Sequence, residues 1–178
     1  SNKYHYEMSL MNTIRENAQK LNKCIVLPEG TEERTLRAAS IILDEKLARL
    51  ILLGNKEEIL RKSAEFGLPN IGEATIIEPE NNPNQEKYAK MLFELRKSKG
   101  LTYEEALKLV QDPLYLATLL IKAGEADGEV AGAMNSTGNV LRPAFQIVKT
   151  LPGISVVSGA FIMLLQDNPY IADNILVF

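Results

Sequence analysis

Two hydroxyl side chains and an arginine occur together in the segment GAMNSTGNVLRPAFQIVKTLPG, which covers residues 132–153. Ser136 and Thr137 precede a predicted helix, and Arg142 lies near its start. Pro143 is tolerated only near the start of a helix, so it predicts a start close by. Helix N-terminal N–H groups favour an anion, and an arginine can donate two hydrogen bonds to a phosphate. The pattern therefore indicates a phosphate-binding segment.

Asn135 and Gly138 complete the loop expected to contact the anion, since a glycine lets the backbone approach a ligand closely. The same residues also allow a purely structural interpretation. In that alternative Ser136 or Thr137 caps the helix, and Arg142 pairs with a surface carboxylate. The segment has neither of the glycine-rich spacings typical of nucleotide-binding loops.

Two other segments carry charges that could contact a substrate. Arg96 lies in FELRKSKG at the end of a predicted helix, where cations are also favoured by the helix dipole. Residues 29–34 follow a predicted strand, and the alternative to a functional role is a helix capped by Thr31 with a solvated face.

Strand and helix patterns alternate along the first part of the chain, which indicates βαβ units on a parallel sheet. Thr102 with Glu105 is a capping-box pattern, and Asp112 is a cap followed by proline. Strands are predicted at residues 24–28, 49–54, 73–79, 128–134 and 154–165, and helices at 6–21, 55–67, 88–99, 102–110 and 112–123, with another after Thr31.

Pro152 and Gly153 break the chain after the quoted helix, which predicts a first domain at residues 1–150. Residues 151–178 are expected to begin a second domain that is incomplete, because the chain ends inside the strand-like segment DNILVF.

Composition excludes several classes of function. The net charge of −3 argues against a nucleic-acid binder. One cysteine and one histidine exclude an intrachain disulfide, a cysteine-rich zinc site and a histidine-based triad, so no metal site is expected. No signal peptide and no apolar run of about 20 residues is present, so we expect no membrane span and a cytoplasmic location.

Several segments resemble, in order, the phosphate acetyltransferase (phosphotransacetylase) family. They include VLPEGTEERTLRAA, YAKMLFELRKSKGLTYEEA, DPLYLATLLIKAGEADGEVAGA and NSTGNVLRPAFQIVKTLPG, and together they cover nearly the whole chain from about Met8. The resemblance implies a three-layer α/β/α fold with a largely parallel sheet, of the isocitrate/isopropylmalate dehydrogenase kind. It also implies two domains with the active site between them, and a homodimer.

The reaction implied by the resemblance converts acetyl-CoA and phosphate into acetyl phosphate and CoA, and the reverse. The CoA thiolate attacks the acetyl carbonyl directly, and CoA is a substrate, with no tightly bound cofactor. Arg142 matches the family's phosphate-binding arginine, Arg96 a second functional arginine, and Ser136 and Thr137 a hydroxyl pair. Asn135 departs from the histidine of many relatives, and Gly138 with Asn139 replaces the commoner Ala-Asp or Gly-Asp.

The family's base aspartate and partner serine have no matching residues in this chain. We therefore expect a fragment that is inactive alone. Two alternatives remain open: a phosphate butyryltransferase, or a non-catalytic acetyl-CoA-sensing relative as found in some malic enzymes. Met8 resembles a helix start near a natural N-terminus, which favours a stand-alone enzyme.

Overall fold

Four parallel strands form the centre of the molecule. The computed structural model describes residues 2–147, 162–164 and 175–177. The elements are α1 (Asn2–Leu21), β1 (Cys24–Leu27), α2 (Glu33–Asp44), β2 (Arg49–Leu53), α3 (Lys56–Glu65), β3 (Thr75–Ile77), α4 (Gln85–Arg96), α5 (Tyr103–Leu109), α6 (Pro113–Lys122), β4 (Gly128–Glu129), α7 (Thr137–Ile147), β5 (Ile162–Leu164) and β6 (Ile175–Val177). The sheet order is β3-β2-β1-β4, and every pairing in it is parallel.

Helices cover both faces of this sheet because successive strand residues point to opposite sides. Val26 and Leu53 pack on one face, and Leu27 and Leu52 on the other. Burying one such side chain contributes about 1.5–3 kcal/mol. The first face is covered by Leu92 of α4, Ala106 of α5, Leu116 of α6 and Ile147 of α7, and the second by Leu36 of α2 and Ile59 of α3. The predicted three-layer α/β/α fold with a parallel sheet is confirmed.

Two predicted helix starts are confirmed in their hydrogen bonds. The Thr102 hydroxyl accepts the Glu105 N–H at 3.1 Å, and the Glu105 carboxylate accepts the Thr102 N–H at 3.1 Å. The Asp112 carboxylate accepts the Leu114 N–H at 2.8 Å. Both caps satisfy N–H groups that the first turn of a helix leaves unpaired.

The predicted cap of α2 is wrong by one residue. Glu32 is the N-cap, and its carboxylate accepts the Thr35 N–H at 3.1 Å. The Glu32 N–H donates to the Glu29 carbonyl at 3.1 Å, so Thr31 lies inside the preceding turn.

The start of α7 lies close to its predicted place. The helix begins at Thr137, so Arg142 lies about one and a half turns into it, against the one turn predicted. Pro143 lies deeper than the first turn, where proline removes the hydrogen bond to the Asn139 carbonyl. Pro143 and Ile147 are both buried, and this burial offsets part of the lost bond.

The strand predicted at residues 128–134 is much shorter, since β4 covers only Gly128–Glu129. The backbone N–H groups from Gly132 onward donate to Glu29 instead of a neighbouring strand. None of the helices in the described part of the chain is long and apolar enough to cross a membrane.

The predicted domain boundary at residues 150–153 and most of residues 151–178 lie outside the described residues. Within that region β5 and β6 pair antiparallel, with Ile162 opposite Val177. β5 falls inside the strand predicted at residues 154–165.

Candidate functional site

Glu29 organises the loop that precedes α7. It follows β1 and is only 4% exposed. One carboxylate oxygen accepts the N–H groups of Gly132 and Ala133 at 2.7 and 2.9 Å. The other accepts the N–H groups of Met134 and Asn135 at 2.7 and 2.8 Å, and the Asn135 side-chain amide at 3.0 Å. We call Glu29 together with these donors of residues 132–135 the Glu29 clamp.

The Glu29 carboxylate is stabilised in its charged form. Burial alone would raise its pKa, but hydrogen bonds from the backbone of Met134, Ala133 and Gly132 and from the Asn135 side chain outweigh burial and lower the pKa. Arg34 also fixes the loop, because its guanidinium donates a hydrogen bond to the Ala133 carbonyl.

The residues after the clamp form the exposed start of α7. The Ser136 hydroxyl accepts the Asn139 N–H at 3.2 Å, so it caps the helix as the structural alternative predicted. Ser136, Thr137 and Gly138 are all exposed. Apart from its chain neighbours and the backbone of its own helix, no described atom lies within 4 Å of the position that a Cβ would take at Gly138, which leaves room for a ligand there.

The charges of the two predicted arginines act on one tyrosine. Burial raises the pKa of Tyr115, the charges of Arg142 and Arg96 lower it, and the charge of Asp112 raises it. Arg96 and Tyr115 line the same cavity. The Tyr115 hydroxyl donates to the Gln146 side chain at 2.8 Å, which links α6 to α7. Within the described residues neither guanidinium makes an ion pair or a hydrogen bond.

One cavity lies beside Arg96 and Tyr115, and a second lies beside Glu29 and Asn135. One has a volume of about 220 Å³ and is lined by Arg96, Lys99, Glu105, Tyr115 and Gln146 together with apolar side chains. The other, of about 430 Å³, lies beyond the carboxyl ends of β1 and β2, where ligands bind in open parallel sheets. Its lining includes Glu29, Thr31, Gly54, Asp112, Met134 and Asn135.

Thus the structure puts Arg96 and Tyr115 at the first cavity and Asn135 at the second, and the charge of Arg142 acts on Tyr115 from α7. It leaves Ser136, Thr137 and Gly138 at the exposed start of α7.

Comparison with known proteins identifies the family. Residues 9–178 match the family described as Phosphate acetyl/butaryl transferase. The chain belongs to this family. It is 45% identical over 171 residues to phosphate acetyltransferase of Clostridium acetobutylicum, covering 96% of this chain and 51% of that protein. It is 47% identical to phosphate acetyltransferase of Thermoanaerobacterium thermosaccharolyticum, with the same coverage of 96% and 51%.

Solved structures agree with this assignment. A phosphotransacetylase from Streptococcus pyogenes superposes with a TM-score of 0.77 at 38% identity, covering 96% of this chain and 50% of that one. The EutD phosphotransacetylase from Staphylococcus aureus superposes with a TM-score of 0.74 at 33% identity, covering 96% of this chain and 49% of that one. The predicted resemblance to the family is confirmed, and the chain spans about half the length of the relatives it matches.

Glu129 is a half-buried acid that the sequence analysis did not select. It pairs with Val26 across β1 and β4, so it points to the sheet face covered by α4 and α6. Its buried Oε1 has no hydrogen-bond partner among the described residues. Burial, and then the charge of Glu29, raises the pKa of Glu129 to about 8. A carboxyl group inside the strand predicted at residues 128–134 is the sequence signal that could have identified Glu129.

The clamp residue Glu29 belonged to a segment that the sequence analysis regarded as a weak candidate. Its donors are 103 to 106 residues away, so no local pattern reveals them. Tyr115 was also missed, since an aromatic residue on an apolar helix is typical of a core. No group of three or more acidic, histidine or cysteine residues in the described part of the chain is arranged to bind a metal.

Proposed function

We propose that this chain contributes the phosphate-binding part of an acyltransferase that interconverts acetyl-CoA plus phosphate and acetyl phosphate plus CoA. The observation that carries the proposal is that the charges of Arg96 and Arg142 both act on Tyr115, and that within residues 2–147 neither guanidinium makes an ion pair. Two guanidinium groups that no carboxylate of residues 2–147 pairs with suit a multiply charged phosphate, and the names of the relatives support that substrate.

The proposed reaction is a direct transfer. The CoA sulfur attacks the acetyl carbonyl carbon, the bond between that carbon and the phosphate oxygen breaks, and phosphate leaves with the electron pair. The arginines stabilise the charge that grows on the leaving phosphate. The thiol proton passes to a base, which the family resemblance places among residues with no match here. Cys24 takes no part, since its thiol is buried and burial raises its pKa.

The proposal also covers the substrates, the oligomeric state and the location of the protein. CoA and acetyl phosphate act as substrates without a tightly bound cofactor, and the protein works as a homodimer in the cytoplasm. Butyryl phosphate is the competing acyl substrate, because the family description names both acyl groups.

The first test measures thioester formation from CoA and acetyl phosphate, followed by ultraviolet absorbance. Two proteins are compared: the 178-residue chain, and a joined protein in which the second half of the Clostridium acetobutylicum relative follows residue 178. Activity only in the joined protein supports a site completed by that half. Activity in the short chain means that the base lies within it. Binding of acetyl-CoA by the joined protein without turnover favours the sensing alternative.

Arg142→Ala is the decisive variant. Loss of a charge-assisted contact to phosphate should reduce kcat/KM for acetyl phosphate roughly 10- to 100-fold. Arg61→Ala is the matched control, because Arg61 pairs with Glu65 on the exposed side of α3. Equal kinetics for the Arg142 variant and the control would remove Arg142 from the phosphate site.

A further inference from the structure

We propose that Glu29 is a positioning residue, whose carboxylate serves as a built-in anion that fixes residues 132–135 and thereby aligns α7 and Arg142 with the substrate phosphate. The proposal rests on the proposed function. It adds a residue whose role is to determine where the substrate-binding helix begins rather than to bind the phosphate.

The backbone N–H groups of the clamp form an anion-binding site, and the protein's own Glu29 carboxylate occupies it. Four successive backbone N–H groups, from Gly132 to Asn135, all point at one carboxylate at 2.7–2.9 Å. Successive amides that converge in this way form a concave anion site. Because Glu29 occupies it, the substrate phosphate must use other donors, which leaves the arginines and the start of α7.

The clamp also ties α7 to the sheet. Glu29 lies two residues after β1, and the next residue, Gly30, donates its N–H to the Leu53 carbonyl at the end of β2. Asn135, the last clamp donor, directly precedes the helix cap Ser136. Glu29, held at the carboxyl end of β1, therefore sets the start of α7. Arg142 lies on that same helix.

Two substitutions separate the charge of Glu29 from its volume. Glu29→Gln keeps the shape but replaces one acceptor oxygen with a donor, which opposes the N–H groups of one half of the clamp. Glu29→Ala removes the carboxylate and leaves four backbone N–H groups without an acceptor, and a small carboxylate from solution can occupy the space. Formate is the probe, with chloride at equal ionic strength as its control.

The first measurement is hydrogen exchange at the amides of residues 132–135 in the 178-residue chain, which needs no enzymatic activity. We expect at least about tenfold faster exchange in both variants, because these amides lose a buried acceptor. Formate should restore slow exchange in Glu29→Ala, and chloride should not. Glu33→Gln is the matched control, since Glu33 pairs with Arg37 at an exposed position and does not touch the loop.

The second measurement is kinetic, in whichever form of the protein turns over. Misplacing Arg142 should raise the KM for acetyl phosphate about tenfold or more, with little change in the KM for CoA. Formate should reverse this effect in Glu29→Ala. It should not rescue Arg142→Ala, whose loop amides should exchange as in the unmodified protein.

The outcomes distinguish this proposal from the proposed function. Unchanged exchange in the Glu29 variants overturns the clamp. Faster exchange with unchanged KM for acetyl phosphate overturns the positioning role. If neither the 178-residue chain nor the joined protein makes thioester, the proposed function fails, and phosphate binding followed by ³¹P NMR replaces the kinetics. Loss of phosphate affinity in Glu29→Ala that formate restores supports the positioning role, and unchanged affinity overturns it.

Discussion

At the scale of single residues, two neighbouring carboxyl groups have opposite charge states. Glu29 receives five hydrogen bonds, which keep its pKa low although it is buried. Glu129 has a buried oxygen without a donor among the described residues, and the negative charge of Glu29 is close by. The difference follows from hydrogen bonding, because burial acts on both groups in the same direction.

Glu129 should therefore make stability depend on pH. Its pKa is raised from 4.5 to about 8 on folding, so between those values the folded protein binds a proton that the unfolded chain lacks. The contribution of this group to stability is greatest below pH 4.5, falls as the pH rises and levels off above about 8. Glu129→Gln removes the ionisation. It should raise the free energy of unfolding at pH 9 by on the order of a few kcal/mol, with little effect near pH 4.

Urea unfolding at the two pH values measures this difference. Glu16→Gln, at an exposed position of α1, is the control for loss of a carboxylate. A Glu129→Gln effect that is equal at both pH values would contradict the buried, protonated state.

The predictability of the site depends on how local its contacts are. Arg142 and Ser136 were selected because the signal lies within a few residues along the chain. Their surroundings still required the fold, since Arg96 of α4 shares a cavity with Tyr115 of α6. Glu29 could be recognised as important only after folding brought residues 132–135 to it.

At the scale of elements, the turn between β1 and α2 depends on close contact with β2. A Cβ at Gly30 would lie 2.5 Å from the Leu53 carbonyl oxygen, which is backbone and cannot rotate away. Gly30→Ala should lower the free energy of unfolding by about 1–3 kcal/mol, as overpacking does. Urea unfolding at pH 7 tests this. Gly72→Ala is the control, because nothing lies within 4 Å of its added Cβ; equal midpoints for the two variants would mean that the turn relaxes freely.

Helix boundaries show which elements the sequence could predict. The Thr102 and Asp112 caps were predicted correctly because a cap is a contact between residues two or three positions apart. Pro143 was expected only near a helix start, but its burial, a tertiary effect, lets it lie in the second turn of α7. The short β4 has a similar cause, since the residues expected to extend it are bonded to Glu29.

At the scale of the whole molecule, α1 is separate from the packed layers. The helix was predicted from its apolar spacing, but Met8, Leu10, Met11, Ile14 and Leu21 are all exposed, with Leu10 and Ile14 both at 52%. None of its described side chains belongs to either core. Among the described residues, Arg15 forms an ion pair with Glu45 and the Gln19 side chain donates a hydrogen bond to the Glu45 carbonyl.

The three layers should therefore fold without α1. Most of the stability of a protein helix comes from tertiary packing, which α1 lacks in either core, and an exposed ion pair contributes at most about 1 kcal/mol. Removing residues 1–20 from the 178-residue chain should change the free energy of unfolding by no more than about 1 kcal/mol and preserve a cooperative urea transition. Leu92→Ala, at a fully buried position of α4, should by contrast lower it by about 2–5 kcal/mol. A shortened chain that unfolds without a cooperative transition would show that α1 stabilises the sheet through contacts other than those at Glu45.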